Sequence, residues 1–178
     1  MIDPLSLDEG SFIYLIKIIK IIVNEEDYIM NKYFIYFSAS GNGDFIAEYL
    51  KERGYTPLKV EMVKPIKKIN FFSIMKYGFR AGLEKKEKIK DLELDLKEDD
   101  EVIIGSPIWN DRLSTPINSL LAKYEFNKES TKFIIYPAGE TAKKVITQLE
   151  KLGFKQIPIV FSNPLKNRDK IENIFLSI

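Results

Sequence analysis

The chain has 178 residues, of which 45% are hydrophobic and 30% are charged, and its formal net charge is +1. These values are typical of a single soluble globular domain with a sizeable core. The sequence contains no cysteine and no histidine, which excludes disulfides, thiolate metal sites, cysteine nucleophiles, Ser-His-Asp triads and histidine-ligated haem. We therefore expect any chemistry of consequence to reside in a bound organic cofactor.

Residues 1–30 differ from the rest of the chain. They hold two lysines against six acidic residues, whereas the remainder holds 25 basic and 20 acidic residues. The apolar run 12–23 is too short to span a bilayer, and acidic residues before it argue against a secretory signal. Two interpretations stay open: the run forms a helix that packs on the domain or on a second copy as a homodimer, or residues 1–30 are a start-site artefact before Met30. We expect no transmembrane segment and a cytoplasmic protein.

Strands and helices alternate from Tyr33 onward. The predicted strands are 33–37, 58–63, 101–105, 133–136 and 156–160, and the predicted helices are 44–53, 71–88, one opening at Ser114-Thr115-Pro116, 140–152 and 167–176. Gly54 and Gly153 are expected to end the first and fourth helices. The alternation predicts one α/β domain over residues 31–178, a three-layer, doubly wound, five-stranded parallel sheet in the order 2-1-3-4-5. In such a sheet ligands bind beyond the carboxyl ends of strands one and three.

The loop after strand one is rich in hydroxyl groups and glycine. It consists of Ser38, Ala39, Ser40, Gly41, Asn42 and Gly43. Because it lies between a buried strand and a helix that begins near Asp44, its free N–H groups and the helix dipole favour an anion such as phosphate. The loop has neither the lysine of a nucleoside-triphosphate loop nor the glycine spacing of a dinucleotide fold. The alternative is an ordinary turn of small residues.

The loop after strand three carries the only tryptophan. Its sequence is Ser106, Pro107, Ile108, Trp109 and Asn110, followed by Asp111 and Arg112. Strands one and three are expected to be neighbours, so Trp109 and the first loop should lie at the same edge of the sheet, beyond the carboxyl ends of these strands. The flat ring of Trp109 could stack there on a flat ligand. The alternative is that Trp109 only packs into the core.

These two loops together resemble the flavodoxin family. The first matches the family's hydroxyl-x-hydroxyl-Gly-Asn-Thr phosphate loop, and the second matches in Gly105-Ser106-Pro107-Ile108-Trp109 followed by Thr115-Pro116 and an amphipathic helix. The resemblance covers roughly residues 31–178, the size of a short-chain flavodoxin. It implies non-covalent FMN, with the phosphate at residues 38–43 and the ring between the Trp109 loop and the loop after strand four, where Ala138 and Gly139 would approach it.

The chain departs from the family pattern in three ways. Gly43 stands where the family has threonine, which removes one hydroxyl, and the loop after strand four lacks the aromatic residue that often covers the flavin. Residues 31–178 are also net positive, whereas electron-carrier flavodoxins are usually acidic.

The resemblance implies a redox protein that passes electrons to a partner protein or a small-molecule acceptor. The alternatives are an NAD(P)H-dependent FMN reductase of quinones or similar acceptors, and a flavin-free partner-binding module. The lysines between positions 64 and 90 are interleaved with acids, which indicates a solvated face, so we expect no nucleic-acid partner. Charged loop residues are usually solvated, so we assign no catalytic role to Asp44, Asp111, Arg112 or Glu140.

Overall fold

The structure is a computed structural model that describes residues 30–66, 70–137 and 142–176. The predicted segment 1–30, except Met30, lies outside the described residues, and so do Ala138 and Gly139. Among the helices described, none is long and apolar enough to cross a membrane.

Five parallel strands form the sheet, and a sixth makes a short hairpin. The strands are β1 (Lys32–Tyr36), β2 (Thr56–Lys59), β3 (Glu101–Trp109), β4 (Arg112–Leu113), β5 (Lys132–Tyr136) and β6 (Ile159–Val160). Their order is β2-β1-β3-β5-β6, with β4 antiparallel to β3 outside this path. Without the hairpin strand this is the order 2-1-3-4-5, so the predicted topology is confirmed.

The described helices cover both faces of the sheet. They are α1 (Asn42–Lys51), α2 (Phe71–Gly82), α3 (Thr115–Lys123), α4 (Lys143–Lys151) and α5 (Ile171–Phe175). Side chains that alternate along each strand enter two separate cores. Ile35 and Ile104 pack with α3 and α4 on one face, whereas Phe34 and Ile103 pack with α1 and α5 on the other. The unbroken apolar strands of the sequence are therefore strands covered on both faces.

Glycine ends α1 and α4 as predicted. Gly54 and Gly153 have φ of 84° and 88°, and the next N–H in each case returns to the last turn, from Tyr55 to Leu50 O and from Phe154 to Leu149 O, both at 3.1 Å. This is the hydrogen-bond pattern of a Schellman motif.

Several predicted boundaries were wrong. The ladder of the second strand covers 56–59 rather than 58–63, because the chain then turns away and Met62 bridges Ile89 in antiparallel fashion. The fifth strand pairs only at 159–160, and β3 continues past 105 to Trp109. Helix α2 ends at Gly82 instead of 88, because Glu84 adopts a left-handed φ of 52°. The last helix is confined to α5, after two short 3-10 turns.

An ion cluster joins the beginnings of the three central strands, at the edge opposite the carboxyl ends. The Glu101 carboxylate on β3 lies 3.2 Å from Lys32 Nζ on β1 and 3.1 Å from Lys132 Nζ on β5. Burial raises the pKa of Glu101, but hydrogen bonds from Tyr55, Lys132 and Lys32 outweigh burial, and the pKa lies below its ordinary value of 4.5. The carboxylate therefore stabilises the folded chain in its charged form.

We predict that Glu101→Gln, which keeps the side-chain size but removes the charge, lowers the free energy of unfolding by about 1 kcal/mol at neutral pH. Because the folded-state pKa is depressed, the contribution of Glu101 is fully present above pH 4.5 and is lost as the pH falls through the folded-state value. Urea unfolding of both proteins at neutral pH and at about pH 3 measures this difference. A difference that stays the same at the two pH values would contradict the assignment.

Candidate functional site

The loop after β1 presents main-chain N–H groups that have no partner in the described part of the chain. Gly41, the residue before α1, has φ of 87°, which is a left-handed conformation that favours glycine. Phe45 is the first residue of the helix whose N–H is bonded, to Gly41 O at 3.0 Å. The N–H groups of residues 39–44 donate to no other described residue. Together with the helix dipole, they form a cradle for an anion.

The side chains of the loop are partly engaged. Asn42 Nδ2 donates to Ser40 Oγ at 3.3 Å, and Asn42 Oδ1 accepts from the N–H of Leu165 at 3.1 Å, which ties the loop to the segment after β6. Ser38 Oγ is buried near the Asp44 carboxylate without hydrogen-bond geometry to it or to another described atom. A buried hydroxyl of this kind is available to a ligand.

Gly43 lies against Tyr136, which ends β5. A Cβ at position 43 would come within 2.6 Å of the Tyr136 hydroxyl oxygen and 2.9 Å of the Tyr36 ring. The Tyr136 hydroxyl is buried and donates to the carbonyl of Phe37. The threonine that the family has at this position would not fit here, because the tyrosine fills that space.

Asp44, one residue after the loop, is neutralised by Lys59. Lys59 Nζ donates to Asp44 Oδ1 at 2.6 Å, and the Tyr36 hydroxyl donates to the same oxygen at 3.1 Å. Burial raises the pKa of Asp44, but the hydrogen bonds from Lys59 and Tyr36 outweigh it, so the pKa lies below its ordinary value. Lys59 therefore offsets a negative charge that would oppose an anion in the loop.

A cavity of about 260 Å³ opens between the first loop, the end of β3 and α2; we call it the tryptophan cavity. Of the predicted site residues, Ala39, Ser40, Asn42, Pro107, Ile108, Trp109 and Asn110 line it. The structure thus brings the two predicted loops together at the point where the strand order reverses. None of the described residues that line this cavity is charged.

Trp109 both packs into the core and lines the cavity. Its ring lies 5.5 Å from Phe37 at an interplanar angle of 83° and 5.5 Å from Tyr77 at 43°. These contacts fix the orientation of the indole before any ligand arrives. The two interpretations of the sequence are therefore compatible.

The tip of the β3–β4 hairpin fixes the position of α2. Asn110 and Asp111 have φ of 50° and 57°, as a two-residue turn with both central residues left-handed requires. A Cβ at Gly82 would lie 2.4 Å from Asn110 Nδ2, and one at Gly78 would lie 3.8 Å from Asn110 Cβ. Two glycines four positions apart thus form a notch in α2 that receives the turn.

Four of the predicted residues that the structure describes do not line the tryptophan cavity. Ser106 is fully buried below it, where its hydroxyl lies 3.1 Å from Ser114 Oγ and donates to Pro107 O, so it is a packing residue of β3. Gly41 and Gly43 do not line the cavity, and their contribution to the site is the main-chain N–H groups of the anion cradle. Ser38 lines a neighbouring cavity of about 460 Å³ beyond the carboxyl ends of β1 and β2, which is also lined by Lys59 and Lys90.

Sequence reasoning missed the wall that α2 provides. Ser73, Ile74, Tyr77 and Gly78 of α2 line the cavity, together with Ile66 and Tyr136. The only signal for α2 was the Gly78 and Gly82 pair, since glycine inside a helix indicates close approach of another segment.

Comparisons with known proteins bear on the fold. No protein-family model matches the chain, and no curated protein matches it as a relative in sequence. A flavoprotein from Lactobacillus acidophilus NCFM, crystallised in complex with FMN, superposes with a TM-score of 0.63 at 18% identity, over 82% of this chain and 99% of that chain. The apo form of the flavoprotein from the same organism gives a TM-score of 0.55 at 19% identity, over 77% and 95% of the two chains.

A protein from Bacteroides eggerthii DSM 20697, assigned as a flavoprotein, gives a TM-score of 0.56 at 21% identity, over 82% of this chain and 98% of that chain. At these identities the likeness establishes the fold. The chain has the flavodoxin-like fold that the two loops predicted.

We predict that Gly43→Ala destabilises the protein by about 1–3 kcal/mol, because the new methyl group overlaps the Tyr136 hydroxyl. Tyr136→Phe alone should cost about 1 kcal/mol through the lost hydrogen bond to Phe37. The double variant should lose less stability than the sum of the two single losses, since removing the Tyr136 hydroxyl relieves the shortest of the contacts that the new methyl group makes. Chemical denaturation of the four proteins measures this coupling, and additive losses would show that the two residues do not compete for space.

Proposed function

We propose that this protein binds FMN without a covalent bond and passes electrons between redox partners. The observation that carries the proposal is the meeting of two features: an anion cradle at the start of α1 and, beside it, an uncharged aromatic cavity at the switch point of the sheet. A phosphomonoester attached to a flat ring fits such a pair of features.

The residues present fit the phosphate of FMN. The N–H groups of residues 39–44 and the buried Ser38 hydroxyl would donate to phosphate oxygens, and the left-handed Gly41 turns the backbone toward them. Gly43 supplies no hydroxyl to the phosphate, as a threonine would, and the main-chain N–H groups of residues 39–44 would take the place of that donor. Lys59 would hold the local charge near neutral by pairing with Asp44.

The tryptophan cavity fits the ring. Trp109 and Tyr77 supply aromatic surface, and Pro107 and Ile108 supply apolar surface that excludes water from the ring. The FMN complex from Lactobacillus acidophilus has the same fold, which supports FMN over other phosphorylated ligands with a flat ring.

The lining favours an electron carrier over an enzyme with its own catalytic groups. When bound, FMN supplies one- and two-electron chemistry through its ring. The described residues that line the cavity offer hydroxyls and amides but no carboxylate, amine or guanidinium to move protons to or from a substrate. What the chain provides is position, stacking and a dry, uncharged environment.

We predict that FMN quenches Trp109 fluorescence on titration and that Gly41→Ala weakens FMN binding about tenfold or more. Position 41 has φ of 87°, and a Cβ there would also crowd Leu165 at 3.2 Å, so the cradle must distort. Gly54→Ala is the matched control, because Gly54 has nearly the same φ of 84° but lies at the other end of α1 in open space. Both variants should lose about 1 kcal/mol of stability.

Two outcomes would contradict this proposal: unquenched tryptophan emission with FMN, or equal affinity loss in the two glycine variants. Reduction of the bound FMN by excess NADPH would favour the reductase over the carrier, whereas a carrier should be reduced only by a redox partner or a chemical reductant.

We also predict that Lys59→Met weakens FMN binding about threefold, because the Asp44 carboxylate then faces the phosphate without a counter-ion. Asp44→Asn combined with Lys59→Met should restore the affinity, since it removes the unpaired charge. FMN titrations at low and high salt measure the effect, which should shrink as salt screens it. Equal affinity of Lys59→Met and the unaltered protein would show that Asp44 lies too far from the phosphate to matter.

A further inference from the structure

One side of α2 is apolar and exposed. Phe71, Phe72, Met75, Phe79 and Leu83 are each 54–79% exposed. At about 100° per residue they fall within an arc of about 120° on the helix and its final turn. We call these five residues the α2 outer face. The opposite side of α2 carries Tyr77, which lines the tryptophan cavity, and the buried Ala81.

Such a surface is unusual for a protein in water. Soluble domains expose single apolar residues, but contiguous patches mark surfaces that meet another molecule. Ile74, which is 60% exposed on the other side of α2, lines the tryptophan cavity, and the remaining exposed large apolar residues in the described part of the chain, such as Ile157 and Leu176, lie outside α2. The α2 outer face is therefore a docking surface rather than incidental exposure.

Unpaired cations border the α2 outer face. Lys76 follows the apolar arc around the helix, with its Nζ 5.4 Å from the centre of the Tyr77 ring, and Lys85 and Lys86 follow the helix end. All three are exposed, and none has an ion-pair partner among the described residues. The acids closest in sequence are already engaged, Glu84 with Arg112 at 3.4 Å and Glu87 with Arg80 at 2.6 Å. Lys76, Lys85 and Lys86 thus leave the border of this face positively charged, so the occupant of this surface should carry negative charge.

The side chains of the α2 outer face favour lipid over protein as that occupant. A second copy of the same face would bring the lysine borders together and repel. Lysine, which borders this face, is depleted at protein interfaces relative to the rest of the surface, whereas the headgroups of anionic lipids attract it. An apolar face with phenylalanine and leucine above a lysine border is the arrangement of a helix that lies in a membrane interface.

We propose that the α2 outer face docks this protein on an anionic lipid membrane surface. Phe72 and Phe79, at 79% and 67% exposure, would enter the acyl region, and Lys76 would lie among the lipid headgroups. Because Tyr77 lines the cavity from the other side of the same helix, docking would hold the tryptophan cavity about one helix diameter, ~10 Å, from the headgroups. This inference does not depend on which ligand the cavity holds.

Co-sedimentation of the full chain with vesicles tests this proposal. Vesicles of phosphatidylcholine with phosphatidylglycerol should bind the protein, and vesicles of phosphatidylcholine alone, or high salt, should bind it more weakly. Phe72→Ser combined with Phe79→Ser should lower vesicle partition about tenfold or more. Ile157→Ser combined with Leu176→Ser is the matched control and should leave it unchanged, since it removes two equally exposed apolar residues elsewhere.

Lys76→Glu should weaken binding to the anionic vesicles and leave the weak binding to neutral vesicles unchanged. Circular dichroism and thermal unfolding establish that every variant is folded, as the exposure of these side chains predicts. Absence of binding to anionic vesicles would overturn the proposal, as would wild-type binding by the Phe72→Ser and Phe79→Ser variant. A dimer in gel filtration that this variant abolishes, without vesicle binding, would assign the face to a second copy instead.

Discussion

The buried hydroxyl of Tyr136 is the contact on which the geometry of the site depends. Tyr136 is the last residue of β5. Its hydroxyl donates to the carbonyl of Phe37, which follows β1, and fills the space beside Gly43 in the first turn of α1. Burial raises the pKa of Tyr136 well above its ordinary value, and the charge of Asp44 raises it further, so the hydroxyl remains a donor throughout the physiological range. Tyr136 thereby fixes the loop after β1 on the side of the sheet, and the N–H groups of residues 39–44 remain available to a ligand.

The strands reach this rim together because β1 is apolar on both faces. Phe34 and Tyr36 stack at 4.9 Å on one face of the sheet, and Ile35 and Phe37 enter the core on the other. Gly105 on the neighbouring strand makes this possible, since a Cβ there would lie 2.6 Å from the Phe34 ring. An aromatic strand beside a glycine thus allows β1 and β3 to pair in register from Lys32 to Tyr36, after which the first loop begins and β3 continues to Trp109.

The sequence was sufficient for the sheet order, the loop before α1 and the meeting of that loop with Trp109, because these follow from local periodicity and from the geometry of parallel strands. It was not sufficient for the ends of β2, β6 and α2. Val60 and Met62 are buried, as the strand alternation over residues 60–63 predicts. The Val60 N–H still donates to Tyr36 O, but residues 61–63 pair with 88–90 instead of continuing the ladder. A pattern of burial predicts which side chain points inward, but not which segment supplies the hydrogen bonds.

The placement of Tyr77 in the site was beyond local reasoning for a related physical reason. A helix is positioned by what it buries, and α2 buries only Ala81 completely. Its place is set instead by small features: the notch at Gly78 and Gly82 that receives Asn110, and the contact between Tyr77 and Trp109.

An element held by so little buried surface costs less free energy to displace than α1 or α3, which bury several apolar side chains each. The walls of the tryptophan cavity therefore differ in stability. The strand-end loops are tied to the core strands and would set the position of a phosphate and a ring, whereas α2 is the wall that costs least free energy to displace. A molecule that binds the α2 outer face would therefore contact the wall of the tryptophan cavity that is held by the least buried surface.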